Sequence, residues 1–132
     1  MKILLAYDGT EPAKRALNTA AGFAHAMGGT VDVISVVPFR TGRAPMDPWD
    51  DHAVHQRELA DARTRLANLG IECRILEPAG EPAEEIEAAA KAGDYEVVIV
   101  GSRGQGILGR MLQGSVSEHV ATHADATVVV VR

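Results

Sequence analysis

Aromatic residues are scarce in this 132-residue chain, at 4% of the total. The core must then be built from Val, Ile, Leu and Ala, which favours close helix-on-sheet layers over a wide aromatic-lined cavity. Cysteine is nearly absent. Cys73 stands alone, so no intrachain disulfide forms, in keeping with a reducing cytoplasm, where we expect the protein. Basic charge is also lacking, with 13 Lys and Arg against 18 Asp and Glu and a net charge of −5. Without a basic patch the sequence argues against a nucleic-acid partner. No apolar run approaches the ~18–20 residues that span a bilayer, and Met1–Asp8 turns polar too soon for a signal peptide. We therefore expect no membrane association. The length suits one domain over residues 1–132.

What is present is a regular alternation. Ile3 to Tyr7 is a continuous apolar run closed by Asp8-Gly9, the pattern of a strand buried on both faces. Thr10 caps the next segment, where Ala13, Ala16, Leu17, Ala20, Ala24 and Met27 recur at helical spacing up to Gly28-Gly29. Thr30 to Val37 reads as a second strand. Pro38 to Asp51 has three prolines and no periodicity, and reads as a long loop. A second helix is expected from near His52, with Leu59, Ala62, Leu66 and Leu69 as its buried stripe. Ile71 to Leu76 is a weaker third strand. A short helix follows Gly80-Glu81-Pro82, with Ile86, Ala89 and Ala90 inward, then a strand from Glu96 to Val100, a helix from Ser115 to Ala124, and a last strand from Thr127 to Val131. The order β-α-β-α-β-α-β-α-β implies an α/β, doubly wound, Rossmann-like domain. We expect five parallel strands in the order 3-2-1-4-5, with helices on both faces. In such sheets ligands sit at the carboxyl ends of strands beside the switch point, here those ending at Asp8-Gly9 and Gly101.

The stretch from Gly101 to Ser117 carries the chemistry. Glycine lets backbone amides approach a phosphate, and a helix starting at Ser115 adds free N–H groups and the positive end of its dipole. Ser115 and Ser117 add hydroxyl donors, and Arg103 and Arg110 add charge. Ser115 and Glu118 are also spaced as a capping box, which needs no ligand. Gly104–Gly109 matches the dinucleotide pattern GxGxxG but does not open the helix, and no lysine precedes Ser115 as a Walker A loop requires.

Gly101-x2-Gly104-x9-Gly114-Ser115 resembles the ATP-binding signature of universal stress proteins. The resemblance extends over nearly the whole chain, including Ile3–Thr10, Val97–Gly104, Gly114–Val116 and Thr127–Val131. It implies the ATP-binding branch of the family, a nucleotide-dependent regulatory module of the stress response without strong catalysis. A slow ATPase or phosphotransferase using the same site is the alternative. By resemblance, Asp8 faces the ribose and a Mg-bound phosphate, Ala6 and Tyr7 lie near adenine, and Val36 offers backbone contacts to the base. Gly101, Arg103 and Gly104 follow the ribose and phosphates, while Gly114, Ser115, Val116 and Ser117 donate to the phosphates. ATP, with Mg, is the implied ligand, and no metal is held by the protein alone. The family habit implies a homodimer through Thr127–Val131, and an unidentified protein partner is compatible with a regulatory role. Asp125-Ala126 stands where the family often has Cys-Pro.

Other residues have plainer readings. No second carboxylate stands close to Asp8 in the sequence. His119 and His123, four apart, and His52 and His55, three apart, have helical metal spacing, but surface or cap roles are preferred because no third ligand is evident. Trp49 is read as a lid over the nucleotide or as an anchor for its loop.

Overall fold

The computed structural model describes residues 1–37, 48–101 and 125–132, with the first turns of the second helix, 48–54, described by backbone alone. Five strands are present, β1 (Lys2–Ala6), β2 (Thr30–Ile34), β3 (Ile75–Leu76), β4 (Val97–Gly101) and β5 (Thr127–Val131). All pair in parallel, in the expected order β3-β2-β1-β4-β5. Helices α1 (Glu11–Met27), α2 (Pro48–Asn68) and α3 (Pro82–Ala92) are described; the helix expected over Ser115–Ala124 lies outside the described residues.

Strand alternation sorts the core into two layers. Ile3, Leu5, Tyr7, Val31, Val33 and Ile99 pack against Ala13, Ala16, Leu17 and Ala20 of α1 and Leu59, Ala62 and Leu66 of α2. Leu4, Ala6, Ile34, Val98 and Val100 face the other way, onto Ala83, Ile86 and Ala90 of α3. Both sheet faces are thus covered, which is why the first strand reads as an unbroken apolar run. Alanine lines α1 so that its axis can approach the sheet. Thr10 caps it, its hydroxyl accepting from the Ala13 N–H at 3.3 Å, and Gly28 closes it.

Strands β1 and β4 are each shifted by one residue from the sequence reading, and other differences are larger. Helix α2 starts at Pro48, so Pro48–Asp51 belong to its first turn and not to the preceding loop. Pro48 suits that place because its missing N–H would have no intrahelical partner there. Strand β2 ends at Ile34, and Val37 forms only an isolated bridge with Ala79. Strand β3 has two residues, because the Ile71 N–H closes the end of α2 on the Leu66 carbonyl and so delays the strand. Leu69 is 39% exposed: α2 stops at Asn68, so Leu69 falls outside the stripe's periodicity. No helix among the described residues is long and apolar enough to cross a membrane.

Candidate functional site

The carboxyl ends of β2, β1 and β4 lie side by side, and they carry Val36, Asp8 and Gly101. This brings together the described members of the expected site: Ala6, Tyr7, Asp8, Val36 and Gly101. Arg103, Gly104, Gly114, Ser115, Val116 and Ser117 lie outside the described residues.

Asp8 divides its carboxylate between two roles. Oδ1 accepts from the Thr10 N–H at 3.1 Å and the Thr10 hydroxyl at 2.5 Å, an Asx turn that sets up the start of α1. Oδ2 is buried and has no partner among the described residues. A buried orphan acceptor is costly unless a donor or cation completes it. Gly9 makes the turn at φ 78°, a conformation that glycine adopts without strain.

The structure corrects one expectation about Asp8. A second carboxylate is close in space, from Glu58 of α2; a Cβ at Gly9 would stand 2.9 Å from Glu58 Cγ. Burial, and then the Asp8 charge, push the Glu58 carboxyl above its ordinary range. The sequence hides this pair because fifty residues separate its members. The available signal is local: Glu58 adjoins Leu59, at the margin of the α2 apolar stripe.

The sign of the Glu58 shift makes a prediction. The native state holds that proton more tightly than the unfolded chain, so stability falls as pH rises from about 4.3 through the raised value. Glu58→Gln mimics the protonated form. Its urea midpoint should exceed that of the wild type at neutral pH and match it near pH ~4. Equal midpoints at both pH values would show that neither burial nor the Asp8 charge raises the proton affinity of Glu58.

Tyr7 is committed to α2. Its ring is buried in the core, and its hydroxyl donates to Asp61 Oδ2 at 2.9 Å, an oxygen that Arg65 Nε also reaches at 2.8 Å. Burial, followed by the bond to Asp61, raises the phenol well above its usual range. Tyr7 therefore meets the crevice through its backbone, its ring being held in the core. Ala6 is fully buried against the α3 layer.

Val36 is positioned by alternation. Its neighbours bond to the β3 side, the Ser35 N–H to the Leu76 carbonyl at 2.9 Å and the Val37 N–H to the Pro78 carbonyl at 2.8 Å. The Val36 N–H and C=O consequently face the β1 side, and no backbone partner is recorded for them among the described residues. An N–H and a C=O at a strand end, without a backbone partner among the described residues, match what a flat heterocyclic base needs for in-plane hydrogen bonds.

Gly101 closes β4, and its lack of a side chain has a packing cause. A Cβ there would lie 2.6 Å from the Pro12 carbonyl carbon and 2.8 Å from the Ala13 nitrogen. The first turn of α1 thus sits directly on the end of β4.

A parallel sheet in this order, with acceptor and backbone groups gathered at its switch point, defines a doubly wound, Rossmann-like α/β fold. The whole chain, residues 1–132, matches the Universal stress protein family, and the protein belongs to that family. It is 33% identical to the Universal stress protein in QAH/OAS sulfhydrylase 3'region of Thermus aquaticus, over 98% of this chain and 97% of that one. Among solved structures it is similar to a universal stress protein from Archaeoglobus fulgidus, with TM-score 0.79, 25% identity, and coverage of 100% of this chain and 93% of that one. A universal stress protein from Archaeoglobus fulgidus in complex with dAMP matches with TM-score 0.74, 25% identity, and coverage of 100% and 98%.

Proposed function

We propose that this protein binds ATP with Mg at the carboxyl ends of β1 and β4 and acts as a nucleotide-dependent regulatory module of the cytoplasmic stress response. The observation that carries the reading is the buried Oδ2 of Asp8, without a partner among the described residues, beside the strand that opens the glycine signature. A ribose hydroxyl or a nucleotide-bound cation supplies what that oxygen lacks. The Val36 N–H and C=O then receive the base. Arg103, Gly104, Gly114, Ser115, Val116 and Ser117 hold the phosphates, a role that rests on the family resemblance and on the physics of glycine loops at helix N-termini. The dAMP complex of a related protein supports nucleotide as the ligand class.

Asp8 and Glu58 impose a condition. Two carboxylates repel a bare polyphosphate, so Mg neutralises the phosphates as they enter. Titration calorimetry should show saturable binding of Mg-ATP and much weaker binding of ATP in excess EDTA. A folded Gly114→Val, Ser115→Ala variant should lose the Mg-ATP signal. Absence of binding by nucleotide-free wild type would overturn the reading.

Glu58 favours one second reading, slow hydrolysis, because a carboxyl with a raised proton affinity beside the phosphate path suits a general base. Glu58→Gln would then abolish turnover while Mg-ATP affinity survives.

Dimerisation through β5 completes the proposal. This strand is at the sheet edge, and Val130 is 50% exposed there. An unpaired apolar edge favours pairing with a second copy. Sedimentation should report a dimer for the wild type and a monomer for Val130→Lys; a monomeric wild type would exclude the arrangement.

A further inference from the structure

A second polar cluster lies at the carboxyl ends of β2 and β3, beside the Val36 end of the crevice. Ser35 follows β2, Glu77 follows β3, and His55 comes down onto both from α2. The Ser35 N–H bonds to the Leu76 carbonyl, which holds the first two at neighbouring strand ends. Ser35 Oγ stands 3.4 Å from His55 Nδ1, and His55 Nε2 stands 3.5 Å from Glu77 Oε2. Gln56 Nε2 reaches the same Glu77 oxygen at 3.5 Å.

His55 Nε2 is buried and makes no aligned hydrogen bond with any described residue, although the carboxylate is near. A proton-mediated ion pair would place the N–H in line with the oxygen. In the tautomer that directs Nδ1–H at Ser35 Oγ, Nε2 carries a lone pair, and two acceptors confront each other. A cation between them resolves that arrangement. The spacing fits: two ligands at about 2.1 Å from a tetrahedral ion stand about 3.4 Å apart. Ser35 supplies the outer contact that metal-bound imidazoles make through their other nitrogen. The His55 side chain is 15% exposed and that of Glu77 36%, so the imidazole is sheltered while an ion can enter past the carboxylate.

The geometry points to a divalent transition-metal site formed by His55 and Glu77, oriented by Ser35, at the β2–β3 end of the sheet. Imidazole nitrogen with one carboxylate oxygen suits Zn²⁺ and its first-row neighbours over Mg²⁺ or Ca²⁺. The described residues contain no group of three or more His, Cys, Asp or Glu placed for a metal, so among them His55 and Glu77 are the two ligands here. The remaining positions accept water or an external ligand, as in metal sites that keep open coordination. His52 stands one turn before His55 on α2, a sequence position from which a further ligand can be tested. The sequence displayed the two histidines but not Glu77 or Ser35, which come from other strands.

The test uses nucleotide-free, full-length protein, so its outcome is independent of ATP binding. Zn²⁺ titrated against a chromophoric competitor should show a saturable site in the wild type. His55→Gln and Glu77→Gln should lose that site, and Ser35→Ala should weaken it about tenfold. His119→Gln, His123→Gln and His25→Gln should leave it unchanged. Co²⁺ should give the visible absorption of a site with nitrogen and oxygen ligands, and nitrogen-detected imidazole spectra should show His55 Nε2 shifting on Zn²⁺ addition. Should His55→Gln fail to fold, the half-exposed Glu77→Gln variant and the wild-type spectra decide alone. Zn²⁺ binding that is absent, or unaffected by both ligand variants, overturns the proposal. So does a His55 Nε2 that stays protonated in excess Zn²⁺, which would make the contact a plain ion pair.

Discussion

Gly101→Val should lower the melting temperature by more than ~10 °C, and Gly101→Ala by roughly half as much. The cause is the approach of α1. A Cβ at position 101 meets the Pro12 carbonyl carbon at 2.6 Å, the Ala13 nitrogen at 2.8 Å and the Pro12 oxygen at 2.8 Å. All three are backbone atoms, so no side-chain rotation relieves the clash. The first turn of α1 must lift, and Ala13, Ala16 and Leu17, each at most 1% exposed, lose their contact with the sheet. Overpacking of a core costs about 1–3 kcal/mol, and valine brings two further methyl groups to the same contact. Against a total stability on the order of 10 kcal/mol for a chain of this size, the loss is large. Thermal unfolding followed by circular dichroism measures it. An unchanged melting temperature would show that α1 yields without cost. The result bears on function as well: failure of a Gly101 variant to bind nucleotide reports on the fold, whereas a Gly114 variant tests the proposed phosphate contacts.

Asp32→Ala should cost about 3 kcal/mol, most of it at the Tyr95 hydroxyl. Asp32 lies within β2 and is 7% exposed. Tyr95 donates its hydroxyl to Oδ2 at 2.5 Å; Arg74 donates its backbone N–H to Oδ1 at 3.2 Å and Nη2 to Oδ2 at 3.0 Å. Lys2 stacks over the Tyr95 ring, 4.9 Å from its centre, and donates to the Gly93 carbonyl, tying the same corner to β1. Alanine strands a buried phenol and leaves Arg74 without its carboxylate. The Arg74 side chain is 71% exposed, so water compensates much of its share. Tyr95→Phe removes one charge-assisted bond and should cost about 1.5–2 kcal/mol.

The pH dependence of this cluster follows from the same bonds. Burial alone would raise the Asp32 carboxyl, but the bonds from Arg74 and Tyr95 outweigh it and hold the group below the ordinary carboxylate range. A depressed native value stabilises the fold above the unfolded value of about 3.9 and loses that contribution as pH falls through the native one. Urea denaturation should therefore show a wide gap between wild type and Asp32→Asn near pH ~7 that narrows below pH ~3. Tyr95 is pushed up to about 12 by burial and by its bond to Asp32. Its contribution is present below the ordinary tyrosine value of about 10 and is lost as pH rises through the higher one. A gap that is constant across the acid range would show that Asp32 does not act as a carboxylate in this cluster.

The residues behind these predictions separate what was legible from what was not. Leu4, Leu5 and Val98 read as buried strands because the run of apolar residues records coverage on both faces. Thr10 read as a cap, and Gly28 as a stop, because both act within a few residues of their own position. Asp32 was invisible, one polar residue in a β-branched segment, because its partners arrive from positions 74 and 95. Leu69 misled, since helical periodicity alone does not say where the helix ends.

By itself, the sequence determined the alternation of strands and helices, a parallel sheet and membership of the universal stress protein family, while the strand order 3-2-1-4-5 was an expectation that the structure bears out. These follow from periodicity, turn residues and motif spacing, which are local and repeat along the chain. Only the tertiary structure decided that Glu58 shares the crevice with Asp8, that Gly101 is needed by Pro12, and that Ser35, His55 and Glu77 converge. Each of these joins residues from different elements. Their contact depends on where crossovers place strand ends and on how far a helix reaches over the sheet, distances that no local pattern encodes.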